Sequence, residues 1–375
     1  MHLTRLALTD FRSYATADLH LEPGVTSFTG ANGQGKTNLV EAVGYVATLA
    51  SHRVATDAPL VRSGADRAIV RAGVTSAERA CLVEIEINPA RANRARLNRA
   101  PVQRPRQILG TLRAVLFAPE DLSLVKGDPG ERRRYIDDLL VQSAPRYAGV
   151  RSDYDRVVRQ RTALLKSARS RPPGNRPMLG ALEAWDEQLV RIGAELMAGR
   201  LELVGALRPL AVKSYATVSG DECAVEITYR PALRDKAEPG CDRDQLEASL
   251  REALIEARGA EIDRGVCLIG PHRDELELRI GQLPARGYAS HGESWSLALA
   301  LRLAGYELLR SAGEDPVLLL DDVFAELDGQ RRERLATMAA AAEQVLVTAA
   351  VPADLPAGLG AARFDVADGV ITRAR

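Results

Sequence analysis

Cysteine is scarce in this 375-residue chain: Cys81, Cys223, Cys241 and Cys267 stand far apart, with no C-x-x-C pair. That spacing argues against a metal-ligand or disulfide framework and fits a reducing compartment. Long apolar runs are missing too, and none approaches the roughly 18 residues that a membrane-spanning helix needs. The first residues lack a secretory pattern, since Asp10 and Arg12 interrupt it. The expected location is therefore cytoplasmic, with no membrane partner. Lysine is nearly absent, at 5 residues against 45 arginines. No internal repeat is visible. Net charge is zero, but residues 1–178 carry 28 basic and 17 acidic residues while 179–375 carry 22 and 33, a split of +11 and −11. Such a split permits a basic face for nucleic acid, or two halves that neutralise each other.

One of the few lysines completes a phosphate loop. Gly30-Ala31-Asn32-Gly33-Gln34-Gly35-Lys36-Thr37 fits G-x-x-x-x-G-K-[ST] without a mismatch. A β-prone stretch, 25–29, precedes it, and Leu39, Val43, Val46 and Leu49 follow at helical spacing. Strand, loop and helix are the context in which backbone N–H groups cradle an anion. Lys36 would reach the β- and γ-phosphates of a nucleotide, and the Thr37 hydroxyl would bind Mg²⁺. Near the other end, Val317-Leu318-Leu319-Leu320 reads as a buried parallel strand. Asp321 at its end would hold Mg²⁺ through water, and Asp322 would orient or activate the attacking water. Ser290-His291-Gly292-Glu293 opens a strongly helical segment, and as such can cap it or present N–H groups to an anion.

Between these motifs the pattern changes. Residues 1–117 read as β-rich with one main helix. From Gly130 the pattern is helical, with Val150, Tyr154, Val157, Leu164 and Ala168 in a stripe that Arg161 interrupts. The run 171–177 is a Pro/Gly breaker, and a heptad stripe from Leu182 to Leu210 follows it. Two helices around a tight turn predict an antiparallel hairpin. A strand over 224–229 and a helix over 245–262 come next. The expected division is a head from 1–117 and 265–375, with 118–264 as an inserted, mainly helical arm. Arg132, Arg133 and Arg134 precede Asp137 and Asp138 at spacings that predict pairing within a helix. Arg91, Arg94, Arg96, Arg99, Arg104 and Arg106 fall within sixteen residues that contain no acid, on a predicted hairpin. Arg94, Arg96 and Arg99 are the candidate DNA contacts, to phosphates and without base stacking, since no aromatic interleaves them. The bland alternative is an exposed, solvated hairpin.

The set of motifs resembles the ABC-type ATPases of the SMC family: phosphate loop, S-x-G-[EQ] signature, aspartate strand and E-L-D turn. The likeness is strongest to the RecF family of bacterial recombination mediators. Asp10-Phe11-Arg12-Ser13-Tyr14, Phe117-Ala118-Pro119-Glu120-Asp121-Leu122, Gly270-Pro271-His272-Arg273-Asp274 and 320–328 carry it, nearly end to end. The resemblance implies an α/β ABC-type ATPase head with an inserted helical arm. It also implies a homodimer that buries two ATP molecules with Mg²⁺, Ser290 and the Gly292 amide touching the partner's γ-phosphate. It further implies binding to gapped, single- and double-stranded DNA. With RecR and RecO the protein would help load recombinase, supporting replication restart and the SOS response. A scaffold that reaches DNA only through partners is the alternative, and a transporter subunit fits the motif spacing poorly. Three departures stand out. Glu293 replaces a usual glutamine. Glu120 or Asp121 stands where transport ATPases have glutamine. Thr348-Ala349-Ala350 stands where many relatives have a switch histidine. They point to slow hydrolysis, a timer rather than a motor. His272, Arg273 and Asp274 read as structural links between head and arm. His2, His20, His52 and His291 show no ligand-like spacing.

Overall fold

The computed structural model describes all residues except 78, 171–178, 221–223, 234–241, 357–358, 360 and 375. In chain order the elements are β1 (His2–Phe11), β2 (Tyr14–His20), β3 (Gly24–Thr29), α1 (Lys36–Thr48), β4 (Ala68–Ser76), β5 (Arg79–Ile87), β6 (Arg94–Leu97), β7 (Ala100–Pro101), β8 (Ala114–Phe117) and α2 (Leu122–Lys126). Then come α3 (Pro129–Ser143), α4 (Tyr147–Arg169), α5 (Leu179–Ser219), β9 (Val225–Arg230), α6 (Arg243–Arg264), β10 (Glu275–Ile280), β11 (Leu283–Pro284) and the short turn α7 (Ala285–Tyr288). The last are α8 (His291–Ser311), β12 (Val317–Leu320), α9 (Val323–Glu326), α10 (Gly329–Ala340), β13 (Gln344–Ala349), β14 (Ala361–Ala367) and β15 (Val370–Arg373). No described helix is long and apolar enough to cross a membrane.

The chain forms two compact units, one from Met1–Lys126, Leu210–Ala224 and Ala289–Arg375, the other from Gly127–Pro209 and Val225–Tyr288. The first contains both ends of the chain, as the separated motifs require. The expected boundaries shift in three places. Residues 118–126 group with the first unit. Residues 265–288 group with the helical unit, because β10 ladders antiparallel onto β9 from Glu275↔Arg230 to Ile280↔Val225. The end of α5 groups with the first unit, and the division falls directly after Pro209, which has no N–H for the helix ladder.

Two sheets build the first unit. One is antiparallel, in the order β2-β1-β4-β5-β6-β7; the other runs β15-β14-β3-β13-β12-β8, parallel from β14 to β8. Alternating residues of β1 and β4, such as Leu6, Leu8, Val70 and Ala72, share one core with Leu39, Val43 and Val46 of α1 and with Leu319 and Leu346. Helix α1 is apolar nearly all round, as a helix buried on several sides must be. Strands β12 and β13 are buried at every position, which explains why they read as apolar runs without alternation. Gln344 breaks that run and is fully buried. Its carboxamide accepts from the Leu3 N–H (2.7 Å) and donates to the carbonyls of Leu3 (2.8 Å) and Glu22 (3.0 Å), so it joins the two sheets.

In the helical unit, α4 and α5 run antiparallel. Tyr147 lies against Gly199, Tyr154 against Gly193, Arg161 bonds Asp186, and Leu165 packs with Leu182. The breaker at 171–177 lies outside the described residues. Arg161 does not interrupt the apolar stripe as expected. It is fully buried and clamped by Asp186 and Glu261, both at 2.6 Å, which keep its charge paired. The expected pairing inside α3 also differs. Arg132 pairs with Glu275 (2.7 Å), Arg133 donates to the Asp274 carbonyl (2.7 Å), and Arg134 pairs with Glu131 (3.1 Å). Asp137 is held instead by Arg200 at 2.8 Å, and Asp138 by Arg151 at 2.8 Å. The Gly270–Asp274 segment makes its contacts within this unit. His272 Nδ1 meets the Tyr154 hydroxyl (2.8 Å), Arg273 donates to the Cys267 carbonyl (2.9 Å), and buried Asp274 accepts from the Ala232 N–H (2.7 Å) and Tyr229.

Gln344→Leu keeps volume but strands the N–H and carbonyl of Leu3 and the carbonyl of Glu22. It should cost about 2–4 kcal/mol, read as a lower urea midpoint with an unchanged slope. An unchanged midpoint would show that the junction does not depend on this carboxamide.

Candidate nucleotide site

The phosphate loop follows the end of β3 and runs into α1. Two of its glycines, Gly30 and Gly35, leave no room for a side chain. A side chain at Gly30 would put a Cβ 2.2 Å from the Val366 carbonyl oxygen. One at Gly35, whose φ is +107°, would meet Ser13 Oγ at 2.8 Å and the Tyr14 hydroxyl at 2.9 Å. The Tyr14 hydroxyl donates to the Gly35 carbonyl (3.1 Å), so the β1–β2 turn supports the loop from one side. The β14–β15 hairpin supports the other. Thr29 Oγ1 donates to Asp365 (2.7 Å), and Gln34 Oε1 accepts the Asp368 N–H. Lys36 is buried, and its ammonium donates to the carbonyls of Gly30 (2.8 Å) and Ala31 (3.2 Å) and reaches Asn32 Oδ1 at 3.5 Å.

The aspartate strand meets this loop in space. Parallel pairing sets β12 beside β13 and β13 beside β3, so their carboxyl ends align. Asp321 Oδ1 accepts from the Thr37 hydroxyl at 3.0 Å and from the Thr348 hydroxyl at 2.7 Å. Thr348 Oγ1 also accepts the Asp322 N–H at 2.9 Å. Asp322 sits in the left-handed region, with φ +47°, an uncommon conformation that turns the chain sharply at the strand end. His52 Nε2 stands 4.0 Å from Asp321 Oδ2. Burial pushes the Asp321 carboxyl up to about 6, opposed by the two threonine hydroxyls and reinforced by Asp322 and Glu120. No lysine or arginine pairs with it among the described residues. A buried carboxylate without a countercharge, next to a threonine hydroxyl, suits a divalent cation. Among the described residues no cluster of three or more His, Cys, Asp or Glu could hold a metal alone. Mg²⁺ held by Thr37 and Asp321 would therefore complete its shell with phosphate oxygens and water, as Mg²⁺ commonly does.

A second carboxylate supports the site. Glu41 of α1 is fully buried and accepts a bidentate pair from Arg12 (2.8 and 2.6 Å) and the Ser51 hydroxyl (2.5 Å). Burial raises its pKa, but Arg12, Ser51 and Arg53 outweigh that and hold it below the usual carboxylate range.

The signature segment is exposed and makes no hydrogen bond to the phosphate loop of its own chain among the described residues. Ser290 caps α8: its Oγ accepts the Glu293 N–H (3.2 Å), and Glu293 accepts the Ser290 N–H (2.8 Å). The glutamate at this position thus closes a capping box, which glutamine would also do. Arg331 lies 3.5 Å from where a Gly292 Cβ would stand, donates to Ser296 (2.9 Å) and pairs with Asp328. The E-L-D turn and the signature helix are therefore tied together. Asp121 is buried, accepts the Ala118 N–H (3.0 Å) and pairs with Arg302 (2.6 Å), so it is committed to local structure.

The arginine hairpin has Asn98 and Arg99 at its tip, both with positive φ. It is not free of acids. Glu84 on β5 pairs with Arg96 (3.2 Å) and Arg71 (2.5 Å), across strands that sequence reading considered one at a time. Arg94 and Arg99 are exposed and have no ion-pair partner among the described residues. Sequence reasoning missed the roles of His52, Glu41, Arg12 and Arg331. The pairs His52 with Asp321, Arg12 with Glu41 and Arg331 with Ser296 lie at distances that no spacing rule reaches, whereas Arg331 with Asp328 is an i,i+3 pair.

Known proteins share the fold and the family of this chain. Head fold, phosphate loop, aspartate strand and exposed signature together define the ABC-type ATPase heads of the SMC class, and residues 2–355 match the family model "RecF/RecN/SMC N terminal domain". Two SMC head domains share the fold, at TM-score 0.57 with 17% identity and 0.55 with 19%. The chain is 60% identical to the DNA replication and repair protein RecF of Streptomyces avermitilis, over 100% of both chains, and 60% identical to that of Frankia alni with the same coverage. A solved recombination mediator RecF-ATP of the RecFOR pathway superposes with TM-score 0.90 at 26% identity, covering 100% of this chain and 98% of that one. The chain belongs to the RecF family.

Asp321→Asn removes the buried charge and keeps the acceptor for both threonines. A carboxyl raised in the folded state loses stability as pH rises from its unfolded value, near 4, through about 6. The variant should therefore be more stable than the parent at pH 7.5, by about 1–3 kcal/mol, with the gain fading at pH 4.5. Thermal melts of nucleotide-free protein at the two pH values check this. An equal or lower melting temperature at pH 7.5 would contradict it.

Proposed function

We propose that this chain is an ATP-gated DNA-binding switch of recombinational repair. ATP binds at Gly30–Thr37, with Lys36 on the β- and γ-phosphates and Mg²⁺ at Thr37 and Asp321. Asp322 orients the attacking water. The observation that carries this reading is the hydrogen bonding of Thr37 and Thr348 to one buried carboxylate oxygen of Asp321. The exposed signature is the second support: Ser290 and Gly292 are available to the ATP of a second copy in an isologous dimer. ATP favours the dimer because it binds the paired form better, and hydrolysis releases it. Thr348 is engaged with Asp321 and with the Asp322 backbone, which fits slow turnover. On gapped DNA the dimer acts with RecR and RecO to help recombinase load onto single strands, in support of replication restart and the SOS response. The family and the mediator described in the RecFOR pathway support this assignment.

The trans geometry has a direct test. Lys36→Ala and Ser290→Arg should each fail to dimerise with ATP when alone. Mixed, they share both lesions in one composite site and leave the other intact, so partial ATP-dependent dimerisation should return. If Ser290→Arg loses ATP binding as a monomer, the signature acts in cis and the reading is wrong.

The hairpin makes a graded prediction. Arg94→Ala/Arg99→Ala should weaken DNA binding and reduce the slope against log salt by about 0.9 for each lost phosphate contact. Arg96→Ala should do less, since Glu84 already neutralises it. Equal salt slopes for the double variant and the parent would leave the hairpin a solvated edge and favour a scaffold that reaches DNA through partners.

A further inference from the structure

His52 is unused in the function just described, yet it faces the centre of the site. It lies in the loop after α1, half-buried, and its Nε2 is buried with no hydrogen-bond partner among the described residues. Buried polar atoms without partners are rare, and each points to an unseen partner such as water or an ion. Asp321 Oδ2 stands 4.0 Å from it. That distance is too long for a direct hydrogen bond and suits one shared water.

We propose that His52 is a positioning residue for the Mg²⁺ site, holding a metal-bound water jointly with the second carboxylate oxygen of Asp321. The inference rests on the nucleotide reading above. Asp321 Oδ1 is already taken by Thr37 and Thr348, so Oδ2 is the oxygen left to face the ion's water shell. A water bound to a cation turns both hydrogens outward; Oδ2 accepts one and Nε2 the other. A neutral imidazole has one ring nitrogen that can accept. The loop that carries the ring is held in place. Ser51 Oγ accepts the N–H groups of Arg53 (3.0 Å) and Val54 (3.1 Å), which follow His52, while its own hydroxyl is tied to buried Glu41. Thr348 contributes a hydroxyl from β13. The imidazole reaches the same carboxylate from a different loop.

The test uses the full chain and a fluorescent ATP analogue, titrated with Mg²⁺ and measured separately in EDTA. His52→Phe keeps the ring shape and removes the acceptor; His52→Gln places an amide oxygen near the Nε2 position. His52→Phe should need about tenfold more Mg²⁺ for half-maximal nucleotide binding, and His52→Gln should stay within about twofold of the parent. Binding in EDTA should be the same for all three. The proposal fails if His52→Phe titrates with the parent, or if His52→Gln shifts as far as His52→Phe. It also fails if binding in EDTA drops equally, since that would make His52 a prop for the loop. A parent protein whose nucleotide binding ignores Mg²⁺ would remove the nucleotide reading and this inference together.

Discussion

One buried carboxylate and the two hydroxyls that hold it set the geometry of the site in the first unit. Asp321 has no lysine or arginine partner among the described residues, and it is held by Thr37, 284 residues away, and by Thr348, 27 residues on. Both hydroxyls reach the same oxygen because β3, β13 and β12 are parallel neighbours whose carboxyl ends lie side by side. The fold therefore closes over a site that is costly without a cation. A buried carboxyl raised to about 6 is a stability penalty near neutral pH. Such a penalty fits a group kept for binding rather than packing.

The surroundings show how that position is enforced. The phosphate loop is held by the β1–β2 turn through Tyr14 and by the β14–β15 hairpin through Asp365 and Asp368. Gly30 and Gly35 are the points where those supports leave no room for a side chain. Glu41 fixes Arg12 and Ser51, and so the two loops that flank α1. The signature segment is fixed differently. It is tied to the E-L-D turn through Arg331 and Asp328 but left open to solvent. A rigid internal half and an exposed, capped half are what a site completed by a second copy requires.

Much of this was legible in the sequence, because the nucleotide motifs are local. The glycine spacing, the apolar run before Asp321 and the capping pattern at Ser290 each report on a few consecutive residues. The parallel sheet could be inferred from β12, whose four residues are all buried and therefore all apolar. What was not legible depends on pairs distant in sequence. The six arginines from 91 to 106 looked uncompensated because Glu84 lies on the neighbouring strand, outside the window. Arg161 looked like an interruption of an apolar stripe because its acids, Asp186 and Glu261, come from α5 and α6. Arg133 and Asp137 looked like a helical pair, but tertiary partners, the Asp274 carbonyl and Arg200, took precedence. The unit boundary moved from 265 to 289 because a strand pairing, β9 with β10, outweighs the return of α/β character along the chain.

The account's central claim is that Mg²⁺–ATP at Thr37 and Asp321 gates self-association. Sedimentation velocity of the unmodified chain tests it most directly, run without nucleotide, with Mg²⁺–ADP and with Mg²⁺–ATP. The account predicts a monomer of 40.5 kDa in the first two conditions and a species of twice that mass in the third. One mass in all three conditions would contradict it.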